Sequence, residues 1–271
     1  MTYKEIYDIA MPMSKRKEER LNIWVTVAVR PLSVLLIKPL IDSKVKPTSI
    51  TKVSVLASAI GFFCLALGNS MVWSLAGWLF FFVWAVLDGV DGNLARCTNQ
   101  CSPLGDLWDT MGGYAAMVLM YFGAGVAAYH DVNLYDFTDT ANYLILGGAT
   151  AIMSIFPRLV LHKKKSSGIE SKAVKALSDK QGFSLSKVIG MNLVSPSGVL
   201  QLVLLAAILT HTLNFFIALY FMINLSIMMV SLKSLLKDES PVKSLNGGGK
   251  KLVLSPICLC NTSINYKRSI A

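Results

Sequence analysis

The chain has 271 residues, 54% of them hydrophobic and only 15% charged, and its mean hydropathy is +0.53. A soluble globule carries about 25% charged residues, so the composition excludes an ordinary soluble domain and indicates an all-α integral membrane protein. The formal net charge of +10 would suit nucleic acid if it formed one patch; here Lys and Arg gather in termini and loops, as in segments facing an anionic leaflet, and no nucleic-acid partner is expected.

In chain order, residues 1–21 read as a helical, charged cytoplasmic segment without the apolar core and small-residue cleavage site of a signal peptide. Residues 22–47 are apolar but contain Arg30, Pro31, Lys38, Pro39 and Asp42, which suits an interfacial amphipathic segment better than a spanning one. The run KPTSIT at Lys46–Thr51 is a helix start, with proline followed by hydroxyl residues able to cap. Six membrane-spanning helices are then expected across 48–236: 50–68, 71–91, 104–129, 141–161, and two within 191–236 joined near His211-Thr212-Leu213. The tail, 237–271, contains Gly247-Gly248-Gly249 and scattered lysines and is expected to be disordered.

Charge asymmetry orients these spans. The loops at 68–71, 130–140 and 211–213 contain no Lys or Arg, while the N-terminus, the 92–103 and 162–190 loops and the 233–251 tail hold nearly all of them. The positive-inside rule therefore expects both termini and the 92–103 loop on the cytoplasmic side. Arg158, beside Lys163–Lys165, reads as a topology anchor, with binding of an acceptor phosphate as the alternative. Trp24, Trp73 and Trp78 suit interface belts. The five cysteines form no CxxC pair and have no His at zinc spacing, so reduced, non-ligating thiols are expected.

The chemistry concentrates in Leu87–Gly113, LDGVDGNLARCTNQCSPLGDLWDTMGG. Its acids Asp88, Asp91, Asp106 and Asp109 and its Arg96 lie at or inside the ends of segments built for lipid, where ionisable groups are expensive and mark functional sites. At about 100° per residue, Asp88, Asp91, Gly92 and Ala95 share one helix face. On the following helix Gly105, Asp109, Gly112 and Gly113 share another, with Asp106 at its edge. Two antiparallel helices would bring Asp88, Asp91 and Asp109 together, and converging carboxylates need a counter-charge. All-oxygen ligation suits Mg²⁺, Mn²⁺ or Ca²⁺ rather than zinc. Arg96 would hold phosphate oxygens, and the small residues Gly92, Ala95 and Gly105 leave room for a ligand. Together these features read as phosphoryl transfer.

The spacing DGVDGNLAR-x8-G-x3-D, Asp88 through Asp109, resembles the signature of the CDP-alcohol phosphotransferases, D-x2-D-G-x2-A-R-x8-G-x3-D-x3-D. KPTSIT is similar to that family's P-N-x-x-T opening of the first membrane helix, with Thr48 where Asn is usual. The resemblance implies displacement of CMP from a CDP-alcohol by the hydroxyl of a second alcohol, with divalent metal (Mg²⁺ or Mn²⁺), in phospholipid or related phosphodiester synthesis, commonly by homodimers. It implies Asp88, Asp91 and Asp109 as catalytic metal ligands, and Gly92, Ala95, Arg96 and Gly105 as the lining of the CDP site. The final aspartate of the motif, the family's usual general base, falls on Gly113. Three readings follow: activation of the acceptor through Asp106, the metal or the acceptor's own acidic group; a different acceptor class; or a non-catalytic homologue that binds a CDP-alcohol or serves as a partner subunit.

Overall fold

The computed structural model describes residues 3–12, 16, 22–131, 136–167 and 192–237; the lysines of the basic loop after residue 167 and the tail from 238, with its expected disorder, lie outside them. The elements are α1 (Tyr3–Ala10), a π-type turn (Val25–Val29) running directly into α2 (Arg30–Asp42), α3 (Pro47–Leu67), α4 (Met71–Cys97), α5 (Pro103–His130), α6 (Ala141–Ser166), α7 (Val199–Leu209) and α8 (Leu213–Lys237). All the regular structure among the described residues is helical. Pro47 occupies the first turn of α3 and Pro103 that of α5, where a missing N–H costs nothing and the fixed φ is already helical.

Five helices, α3 to α6 and α8, are long and apolar enough to cross a membrane, and they make the chain a multi-pass membrane protein. α7 has only 11 residues, which at about 1.5 Å per residue is roughly half a hydrocarbon core. The apolar run expected to supply a full span is interrupted at Ser195-Pro196-Ser197-Gly198, which forms a turn. Proline disfavours helix in the residue before it, and a Cβ on Gly198 would lie 2.8 Å from the Asn192 carbonyl oxygen.

α2 is absent from the helices of spanning character. Ile23, Val27 and Leu35 are strongly exposed, while Arg30, Ser33 and Ile37 turn inward, the two-faced pattern expected of an interfacial segment. At its start the Arg30 N–H reaches back five residues to the Val25 carbonyl. That widened turn is a device frequent near functional sites.

The helices meet through small residues. A Cβ on Gly61 of α3 would lie 3.0 Å from the Gly77 carbonyl oxygen of α4, and one on Gly125 of α5 would lie 2.7 Å from the Gly147 Cα of α6. Backbones approach this closely only where neither side offers a side chain, the usual packing in lipid. Trp24 and Trp78, expected at the belts, donate their indole N–H groups to Gln201 of α7, to its Oε1 at 3.3 Å and its carbonyl at 2.8 Å. Gln201 is fully buried and donates to the Phe81 carbonyl, so the polar group at this junction is satisfied. Trp73 is exposed. Cys64, Cys97 and Cys101 are not in disulfides.

Candidate active site

α4 continues unbroken to Cys97, six residues beyond the expected end of its span, so Asp88, Asp91, Gly92, Ala95 and Arg96 all lie on one helix. Asp91 is buried at 4% exposure, and a carboxylate can stay ionised there only with donors. It has them: the Thr51 hydroxyl donates to Oδ2 at 2.6 Å, and the Gly92 N–H lies 2.5 Å from Oδ1. Asp88 and Ala95 are half-buried beside it.

Thr51 comes from the first turns of α3, and that helix proves to be the third wall of the site. One of its faces gives Thr51 to α4. Another lies against α5: the Thr48 Cγ2 would be 3.9 Å from a Cβ on Gly105, the Val55 Cγ2 3.0 Å from one on Gly112, and the Lys52 ammonium sits 5.4 Å from the Trp108 ring centroid. α4 and α5 therefore pack chiefly through α3 rather than directly on each other. Asp109 and Asp106 are exposed on α5. Among the described residues no three His, Cys, Asp or Glu side chains come together as a metal site. Asp88 and Asp91 thus lie on α4 and Asp109 on α5, with α3 packed against both helices. In donor chemistry the set still fits a hard divalent cation, since carboxylates and a hydroxyl are all oxygen.

Gly105 belongs to the first turn of α5, where its N–H donates to the Ser102 Oγ at 3.0 Å, a cap the sequence reading did not single out. A Cβ on Gly92 would stand 3.4 Å from the Arg96 Nη1, so its absence keeps the space beside the guanidinium clear. Arg96 donates from Nε to the Ala10 carbonyl at 2.9 Å and from Nη2 to the Asn93 Oδ1 at 2.5 Å.

Around Gly113 a Cβ would meet nothing within 4 Å. One turn deeper on α5, the Met117 Sδ lies 2.8 Å from the Arg158 Nη1, which also donates to the Ser154 carbonyl. Arg158 is half-buried, and both of these contacts are with uncharged groups. Thr51 and Asn93 escaped the sequence reading as site residues. Thr51 was visible only as the last letter of KPTSIT, and Asn93 as a spacer inside the acidic motif.

The CDP-alcohol phosphatidyltransferase family pattern matches residues 44–230, which takes in α3 to α7 and most of α8. Human cholinephosphotransferase 1 is 47% identical over 47 residues, 17% of this chain and 12% of that protein. The rat cholinephosphotransferase 1 is 46% identical over 46 residues, again 17% of this chain and 12% of the relative. The similarity thus spans about an eighth of those relatives' length.

Proposed function

Since the chain belongs to the CDP-alcohol phosphatidyltransferase family, we propose that it transfers a substituted phosphate from a CDP-alcohol, such as CDP-diacylglycerol, to the hydroxyl of a second alcohol and releases CMP, as a step in phospholipid or related phosphodiester synthesis. The family is generally dependent on divalent metal. The observation that carries the reading is the face of α4: a buried carboxyl group hydrogen-bonded by Thr51, a clear space at Gly92, and a positioned guanidinium at Arg96.

In this reading Asp88, Asp91 and Asp109 hold Mg²⁺ or Mn²⁺, which when bound polarises the phosphoryl oxygens. Arg96 holds donor phosphate oxygens as a fork, and Gly92, Ala95 and Gly105 line the CDP site. The acceptor oxygen forms a bond to the phosphorus that carries the alcohol; the bond from that phosphorus to the CMP oxygen breaks, and CMP leaves. Gly113 has no group to take the acceptor's hydroxyl proton, which in this reading passes to an acidic group of the acceptor itself or to Asp106 on the same helix. The two contacts of Arg158 with uncharged groups, a turn beyond the open space at Gly113, support an acceptor that carries its own anionic group into that space. A homodimer, with both termini and the site on the cytoplasmic side, completes the reading.

The test is CMP release by the purified protein in detergent, with Mg²⁺ or Mn²⁺, across a panel of CDP-alcohol donors and mixed acceptors. EDTA-sensitive release with one donor is the expected result, and Asp91→Ala should abolish it; retained turnover in that variant would sink the site. The open space at Gly113 also favours a second reading, a homologue that binds a CDP-alcohol without turning it over. Asp91-dependent binding with no CMP released by any pair would establish that one instead.

A further inference from the structure

Asn93 sits inside the acidic motif at a position the family spacing leaves unspecified, yet it is fully buried and in contact with two arginines. Its Oδ1 accepts from the Arg96 Nη2 at 2.5 Å and from the Arg30 Nη1 at 3.3 Å. Its Nδ2 donates to the Ser33 Oγ at 3.4 Å, and that hydroxyl in turn donates to the Arg30 carbonyl. Close approach of α2 is possible because Gly89 has no side chain: a Cβ there would stand 3.2 Å from the Ser33 Cβ. The other side of Arg96 is fixed by the Ala10 carbonyl, at the C-terminal end of α1, where the helix dipole favours a cation.

An amide oxygen has two lone pairs and no charge. It can therefore accept from both guanidinia, fixing their direction, without neutralising either. A carboxylate at the same place would fix them equally well but would pair with Arg96 and compete with an incoming phosphate. An apolar residue would remove the acceptor that the two guanidinia share. We propose that Asn93 is a positioning residue for the donor site: its amide oxygen, shared by Arg96 and Arg30, aims the Arg96 guanidinium at the donor's diphosphate and ties that aim to the interfacial helix α2.

The inference rests on the donor-site reading given above, so the experiment separates the two. The affinity of the purified protein for CDP is measured in Mg²⁺ alongside its melting temperature, for wild type, Asn93→Asp, Asn93→Leu, Arg96→Ala and the Asn93→Leu/Arg96→Ala double variant. Asn93→Asp keeps the shape of the side chain and an acceptor oxygen. It should melt near wild type yet bind CDP about ten- to a hundredfold more weakly, a change of the size expected when a charge-assisted hydrogen bond is lost. Asn93→Leu should weaken CDP binding in the wild-type background and add little once Arg96 is gone, because both changes remove one unit. A purely structural asparagine would lower the melting temperature and leave the affinity of Asn93→Asp untouched, and that outcome overturns the proposal. So does full additivity in the double variant. If wild type itself fails to bind CDP, the donor-site reading falls and this inference with it.

Discussion

Thr51 controls how the buried aspartate is presented. Its hydroxyl proton goes to the Asp91 Oδ2 at 2.6 Å, across 40 residues of sequence, and a hydrogen bond to a charged group contributes about 1.5–3 kcal/mol. Thr51→Val keeps the shape and removes the donor. It should lower kcat/KM for CMP release about ten- to a hundredfold, while Thr51→Ser restores most of the rate; equal rates in Val and Ser variants would refute a role for the hydroxyl. Gly113 poses the opposite question, since a Cβ there meets nothing within 4 Å and the position has room at its first side-chain atom. Gly113→Asp should therefore fold normally, which thermal melting would confirm. If a missing base limits turnover the variant gains rate; if the space holds an anionic acceptor, the new carboxylate repels it and the KM for the acceptor rises.

At the level of elements, glycine pairs rather than large apolar side chains set the helix crossings. Gly125 and Gly147 bring α5 and α6 into backbone contact, so Gly147→Leu should force the helices apart and lower the melting temperature in detergent. Overpacking of this kind costs about 1–3 kcal/mol. Gly148 is the control on the next position, where a Cβ meets nothing within 4 Å; Gly148→Ala should be neutral or slightly stabilising because alanine is the better helix former. The same contrast explains what could be read in advance. Asp88, Asp91, Gly92 and Ala95 can be placed together on one helix in advance because residues one turn apart must share a face, and spacing alone fixes that. The bond from Thr51 to Asp91, and the insertion of α3 between α4 and α5, cannot, since no periodicity relates residues on different helices. The length of α7 was misjudged for another reason: hydropathy runs on through Pro196 and Gly198, while the backbone does not.

For the molecule as a whole, the hydrogen bonds sort the helix ends into two sets. Lys164 donates to the Leu235 carbonyl, joining the ends of α6 and α8, and Arg96 joins the end of α4 to α1. At the other ends, the His211 Nδ1 and the Asp131 Oδ1 lie 2.9 Å apart, joining the turn before α8 to the end of α5. The first set carries Lys163–Lys165, Lys233 and Lys237; the second carries His130, Asp131, Asp136 and Asp139 and no Lys or Arg between residues 130 and 140. Positive charge next to a membrane is retained on the cytoplasmic side, so the fold and the charge pattern together give a definite expectation. In a cysteine-free background, Gln100→Cys and Lys165→Cys should react with a membrane-impermeant maleimide only after cells are permeabilised, and Asn69→Cys should react in intact cells. All three positions are exposed, so failure to label reports sidedness rather than burial. Labelling of Gln100→Cys in intact cells would reverse the orientation, and with it the side on which a nucleotide donor could reach Arg96.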